Sequence, residues 1–206
     1  WNKKIFKNIH EKVNQASNDL AKERGACPDA AEYGYEERFS NKTAIAPTAS
    51  ISIICGGSSP GIEPIAANSY THKTLSGSFN VRNKYLKKIL QKYDKDTDAV
   101  WSSITTNQGS VSHLDFLTAE EKDTFKTAFE IDQRWIVELG ADRTPHISQA
   151  QSINVFVPAD IHKKELHDIH FQAWKKGLKS LYYCRSKSIQ RAENVEAGSS
   201  TDVTKN

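Results

Sequence analysis

An α/β fold is what this sequence predicts, and two observations carry the prediction. Short segments suited to strands, residues 43–46, 152–157 (SINVFV) and 179–184 (KSLYYC), are separated by segments whose apolar residues recur at helical spacing. Residues 44–64, AIAPTASISIICGGSSPGIEP, also read as a strand, a tight turn at Pro47 and a short helix opening near Thr48 to Ser50.

Taken in order, residues 2–24 predict a helix: Ile5, Phe6, Ile9, Val13, Leu20 and Ala21 fall near helical spacing, and Gly25 suits a C-cap. Residues 27–39 predict a loop with Pro28 and Gly34. After the strand, turn and helix, Gly56-Gly57 and Pro60-Gly61 mark turns. Residues 68–80 predict extended chain with a turn at Ser76-Gly77. Leu86, Ile89 and Leu90 predict an apolar face on a basic helix over 85–93. Residues 99–104 suggest another short element, and 107–116 a loop. Thr118 and Glu121 form a capping-box pattern, opening a helix expected to run to Gly140 with Phe125, Phe129, Ile136 and Leu139 among its buried residues. Pro158 ends the strand at 152–157. Asp160 is expected to cap a helix over 161–175 in which Ile161, Leu166, Ile169 and Trp174 pack. Gly177 ends that helix and 179–184 predicts a last strand. Residues after Ser186 are polar and expected to be flexible.

Composition narrows the function classes. The chain has 206 residues, a net charge of +3 and dispersed lysines, which gives no basic stripe for nucleic acid. No apolar run approaches membrane-spanning length. Three scattered cysteines, Cys27, Cys55 and Cys184, form neither a disulfide framework nor a zinc spacing, so a reducing, cytoplasmic setting is expected. The chain starts at Trp1 and contains no methionine, from which a piece of a longer protein is expected.

Each candidate site has a plain structural reading beside it. Pro47, Thr48, Ala49, Ser50, Ile51 and Ser52 place small hydroxylated residues at a helix start, where unpaired N–H groups and the helix dipole favour an anion such as phosphate. An ordinary N-capped helix fits the same pattern. His162, His167 and His170 share one helix but lack a further ligand at zinc spacing, so a solvated or partner-facing surface is expected. Tyr182 and Tyr183 are neighbours in a strand, which predicts one buried and one exposed ring. Cys55 and Cys184 have no base marked beside them and are expected to be small buried residues.

Five segments in order, APTASISI, GIEP, YTHKTLSGSF, QAQSINV and WKKGLKSLYY, resemble the carboxy-terminal part of the large (α) subunit of class I ribonucleotide reductase. The resemblance covers about residues 40–186, and 1–39 more loosely. It implies a ten-stranded α/β barrel of two parallel five-stranded halves, of which residues 1–186 supply the last strands and outer helices, followed by a truncated tail over 187–206. It implies that residues 47–52 hold the diphosphate of a ribonucleoside diphosphate, and that Tyr182 and Tyr183 relay a radical from the small (β) subunit. It places the docking of the β-subunit tail near the helix at 161–177.

The same resemblance implies radical reduction of ribonucleoside diphosphates to deoxyribonucleotides for DNA synthesis, with ATP binding and allosteric control in the complete enzyme. Its partners are an α homodimer, the rest of the α subunit, a small subunit carrying a di-metal radical cofactor, and thioredoxin or glutaredoxin as reductant. No cofactor or metal is expected in this chain. The thiyl-radical cysteine, its neighbouring asparagine and glutamate, and the reducing cysteines have no counterpart here, so the chain alone is expected to be inactive. An adenosylcobalamin-dependent class II reductase shares the phosphate loop and GIEP segment. A non-catalytic half of a split subunit is the remaining alternative.

Overall fold

A computed structural model describes residues 1–55, 59–74 and 77–186, without the side chains of Ser50, Ile53 and residues 72–74. The first helix, α1 (Asn2–Arg24), ends where the Gly25 N–H donates to the Ala21 carbonyl at 2.8 Å. Ser17 is buried on its inner face, and its hydroxyl accepts from the N–H groups of Arg38 (3.1 Å) and Phe39 (3.2 Å), which ties down the loop that follows. That loop contains a helical turn the sequence reading leaves out, α2 (Pro28–Glu32), which opens with proline at its first position.

The apolar run at 43–46 is not a full strand. It makes a single parallel bridge, Ile45 to Gln151, before Pro47 removes the next donor. Helix α3 (Ala49–Ile54) follows, and Gly56 and Gly57 lie outside the described residues. Strands β1 (Ser69–Thr74) and β2 (Gly77–Arg82) pair antiparallel from Ser69↔Arg82 to Thr74↔Gly77. The expected turn at Ser76-Gly77 falls partly outside the described residues.

Helices α4 (Lys84–Lys92) and α5 (Asp98–Thr106) are each capped on their own sequence. Asn83 Oδ1 accepts from Tyr85 N–H, and Thr97 Oγ1 from Val100 N–H. Leu86, Leu90, Trp101, Ile104, Val111, Leu114, Leu117 and Phe125 form one core between them. Buried Asn68 locks the hairpin to this core by donating to the carbonyls of Gly109 (3.0 Å) and Phe125 (2.7 Å).

The single helix expected from 118 to 140 is three pieces: α6 (Ala119–Thr124), a 3₁₀ turn at Ala128–Glu130, and α7 (Gln133–Arg143). Each piece has its own N-cap, at Thr118, Thr127 and Asp132, and those competing side-chain bonds are what interrupt the helix. Leu139 is consequently exposed and Phe129 only partly buried. Gly140 does not end α7. It lies inside the helix, where a Cβ would meet Ile153 Cδ1 at 2.7 Å.

Strands β3 (Val155–Val157) and β4 (Cys184–Ser186) are parallel, joined by α8 (Lys163–Lys175). The strand expected at 179–184 starts later because Lys179 is engaged elsewhere: its ammonium donates to the carbonyls of Ile147 (2.9 Å) and Ser148 (2.6 Å). His162, rather than Asp160, caps α8, its Nδ1 accepting from Lys164 N–H. Trp174, expected in the core, is 72% exposed. It lies five residues beyond buried Ile169, about 140° around the helix. Val137, Val155, Val157, Ile169 and Ala173 pack on one side of β3, and Ala128, Ile136, Ile153 and Phe156 on the other. The architecture is mixed helix and strand with two two-stranded sheets, and no barrel closes among the described residues. No helix among them is long and apolar enough to cross a membrane.

Candidate functional site

The loop at 47–52 turns on Thr48. Its φ of 49° is a left-handed conformation that costs a threonine energy, and its hydroxyl donates to the Pro60 carbonyl at 3.3 Å. Helix α3 begins at the next residue, Ala49. Ser52 is buried, and its hydroxyl donates back to the Ala49 carbonyl at 2.8 Å, so it braces the turn instead of facing outwards. Pro47 is exposed and Ile51 is 56% exposed.

The GIEP segment is fixed from both ends. Ser59 Oγ donates to the Glu63 carbonyl at 2.8 Å, and the buried Glu63 carboxylate accepts the Asn154 backbone N–H. Two residues along β3, Phe156 N–H donates to Gln133 Oε1 at 2.7 Å. Two side chains therefore satisfy the edge of β3 that faces away from β4. Beside them Arg143 is buried, donating from Nε to Gln151 Oε1 at 2.9 Å. Burial pulls its guanidinium below the usual arginine range, against the opposing charges of Glu63 and Asp142.

Tyr182 and Tyr183 contradict the alternation expected of a strand. Regular pairing with β3 begins at Cys184, the Tyr182 N–H donating to the Ile153 carbonyl (2.7 Å) and the Tyr183 carbonyl accepting from Val155 N–H (3.0 Å) just before it; both rings are partly exposed, and their centroids lie 4.2 Å apart at 56°. The Tyr183 side chain, by hydrogen bonding and then by charge, raises the Tyr182 phenol above its usual range, while Arg185 acts to lower it. The Arg185 guanidinium carbon stands 5.7 Å from the Tyr183 ring centroid, and its Nε donates to Asn154 Oδ1 at 3.4 Å.

Bonded neighbours thus run from Thr48 through the 59–63 turn and Asn154 to the tyrosine pair. The sequence reading named both ends of this series and missed Glu63, Asn154 and Arg185 between them. A signal was present in SINVFV, where a polar Asn154 interrupts an otherwise apolar strand.

Cys55 and Cys184 are exposed, which overturns the expectation that they are buried. On α8, His170 Nδ1 lies 2.8 Å from the Leu166 carbonyl, and His167 stacks on Phe171 at 5.8 Å with Trp174 5.5 Å beyond. Among the described residues no group of three His, Cys, Asp or Glu side chains is arranged to hold a metal ion.

The sequence family described as "Ribonucleotide reductase, barrel domain" matches residues 29–184. The ribonucleoside-diphosphate reductase large subunit of Invertebrate iridescent virus 6 is 47% identical, over 94% of this chain and 20% of its own length. That of Invertebrate iridescent virus 3 is 45% identical, over 97% of this chain and 32% of its own. Among solved structures, the class Id ribonucleotide reductase alpha subunit of Actinobacillus ureae superposes with a TM-score of 0.81 at 40% identity, covering 91% of this chain and 34% of that one. The chain spans between a fifth and about a third of the length of these relatives. A barrel-domain match over most of its length, joined to that identity with large subunits, means that the chain belongs to the ribonucleotide reductase large-subunit family.

Proposed function

We propose that this chain supplies part of the active site of a class I ribonucleoside-diphosphate reductase, holding the substrate's diphosphate and passing a radical through Tyr182 and Tyr183. The overall reaction replaces the 2′-hydroxyl of the ribose by hydrogen. The hydroxyl leaves as water, and the two electrons come from a dithiol of thioredoxin or glutaredoxin, which becomes a disulfide. The radical originates outside this chain, in the small subunit with its di-metal cofactor.

The observation that carries the reading is the 4.2 Å contact between the two tyrosine rings. A phenoxyl on one takes the hydrogen atom of the other's O–H, regenerating a phenol as the second becomes the phenoxyl. That exchange needs the two side chains in contact, and the adenosylcobalamin-dependent alternative has no use for such a pair. The diphosphate assignment is supported by the strained turn at Thr48 leading directly into α3, which turns backbone N–H groups of residues 49–51 towards one end of the helix. Ser52 braces that turn, its N–H donating to the Thr48 carbonyl at 2.9 Å and its hydroxyl to the Ala49 carbonyl at 2.8 Å. The exposed run His167, Phe171 and Trp174 on α8 suits the docking of the small subunit's tail.

The test uses a complete large subunit carrying this segment, with small subunit, thioredoxin and a ribonucleoside diphosphate. Tyr183→Phe is expected to abolish deoxynucleotide formation and leave substrate binding intact. Full turnover in that variant would sink the relay reading.

A further inference from the structure

Tyr183 and Arg185 are two residues apart where β4 begins, Arg185 within the strand and Tyr183 just before it. An exposed arginine at such a place is ordinarily a solvated charge with many rotamers. Here three observations restrict it. Its guanidinium lies over the Tyr183 ring at 5.7 Å. Its Nε donates to Asn154 Oδ1. Asn154 is itself 7% exposed and pinned, since its backbone N–H is taken by the Glu63 carboxylate. The charge is thus held from the core of the fold rather than from the surface.

We propose that Arg185 is a positioning residue for the tyrosine pair: anchored on Asn154, it fixes the Tyr183 ring against Tyr182 and sets the electrostatic potential at both phenols. The inference rests on the relay reading of the pair. A cation over an aromatic face favours that ring's placement. Arg185 also opposes the effect of Tyr183 on Tyr182, whose phenol Tyr183 raises and Arg185 lowers. A relay between two phenols works best when neither holds the radical much more tightly than the other, and a fixed charge beside one of them adjusts that balance. Among the described residues, titratable groups near the pair include the two phenols, the exposed Cys184 thiol and, beyond Asn154, the Glu63 carboxylate.

The test again uses a complete large subunit carrying this segment. With 3-nitrotyrosine in place of Tyr182, visible absorbance follows ionisation of that ring directly and needs no turnover. Arg185→Gln is expected to raise the titration midpoint, since Arg185 acts to lower the Tyr182 phenol. Arg185→Lys keeps the charge and is expected to restore most of the shift. With tyrosine at 182 and the small subunit added, Arg185→Gln is expected to lower kcat several-fold with the substrate KM unmoved, and Arg185→Lys to recover part of it. An unmoved midpoint in Arg185→Gln overturns the proposal, as does a kcat equal to that of the unsubstituted enzyme. Tyr183→Phe decides the relay reading separately. Full turnover there removes the role of the pair, while the titration still reports whether Arg185 acts on Tyr182.

Discussion

Gly61 owes its place to Glu63. A Cβ at position 61 would run into Glu63 Oε2, and that carboxylate has nowhere to retreat, because its other oxygen accepts the Asn154 N–H. The carboxylate is buried, and the turn around it is braced by Ser59 Oγ on the Glu63 carbonyl at 2.8 Å. Gly61→Ala is therefore expected to push the carboxylate off β3 and leave a buried backbone N–H unpaired. The cost is about 1–3 kcal/mol, the penalty of a buried donor without a partner. Urea unfolding checks it: the midpoint falls and the slope stays the same. Glu63→Gln, which keeps an acceptor oxygen at the same reach, is expected to lose less than Gly61→Ala. Equal losses in the two would mean that the acceptor at Asn154 is not what matters.

At the scale of elements, the break between α6 and α7 shows how much local side-chain bonding decides. Glu121 closes the capping box of α6, its carboxylate accepting from Thr118 N–H (3.0 Å), Thr118 Oγ1 (3.1 Å) and Tyr93 O–H (3.0 Å). The Thr118 N–H, and then the Tyr93 and Thr118 hydroxyls and nearby Lys92, hold the carboxyl below the usual glutamate range despite partial burial. A folded value below the unfolded one means that this stabilisation is complete above the usual glutamate range and is lost as pH falls through the depressed folded value. Glu121→Gln should then melt below the parent at neutral pH, and the gap in Tm should close as pH drops from the ordinary glutamate range. A gap independent of pH would refute the argument. Helices such as α1, α4 and α8 were legible in the sequence because apolar spacing is a local signal. So were the 47–52 turn and the start of α3 at Ala49. The side chains that finish the edge of β3 were not, since Glu63 lies 91 residues from Asn154 in sequence. The tyrosine contact was hidden for the opposite reason: strand alternation predicts opposite faces at residues 182 and 183, which lie just before the regular pairing of β4.

At the scale of the whole molecule, the cores differ in how they are assembled. The cluster from Leu86 to Phe125 comes from one contiguous stretch, whereas the layers on β3 gather Val137, Val155, Ile169 and Ala173 from three elements. β3 depends on β4 along one edge and on Glu63 and Gln133 along the other, so its stability requires residues spread over most of the chain. Large apolar side chains also remain outside these cores, Ile54 at 85% exposure and Trp174 at 72% among them. The two regions should therefore open separately. Val155 is 1% exposed, and Val155→Ala removes two methyl groups from the centre of the β3 layer, at a cost of about 1–3 kcal/mol. Native-state hydrogen exchange is expected to quicken about tenfold or more in α7, β3 and α8 and to stay unchanged over residues 86–125. Equal acceleration everywhere would make the chain one cooperative unit. Acceleration confined to the β3 layer would mean that the tyrosine pair and its Asn154 anchor sit in the region whose stability depends most on what packs against it.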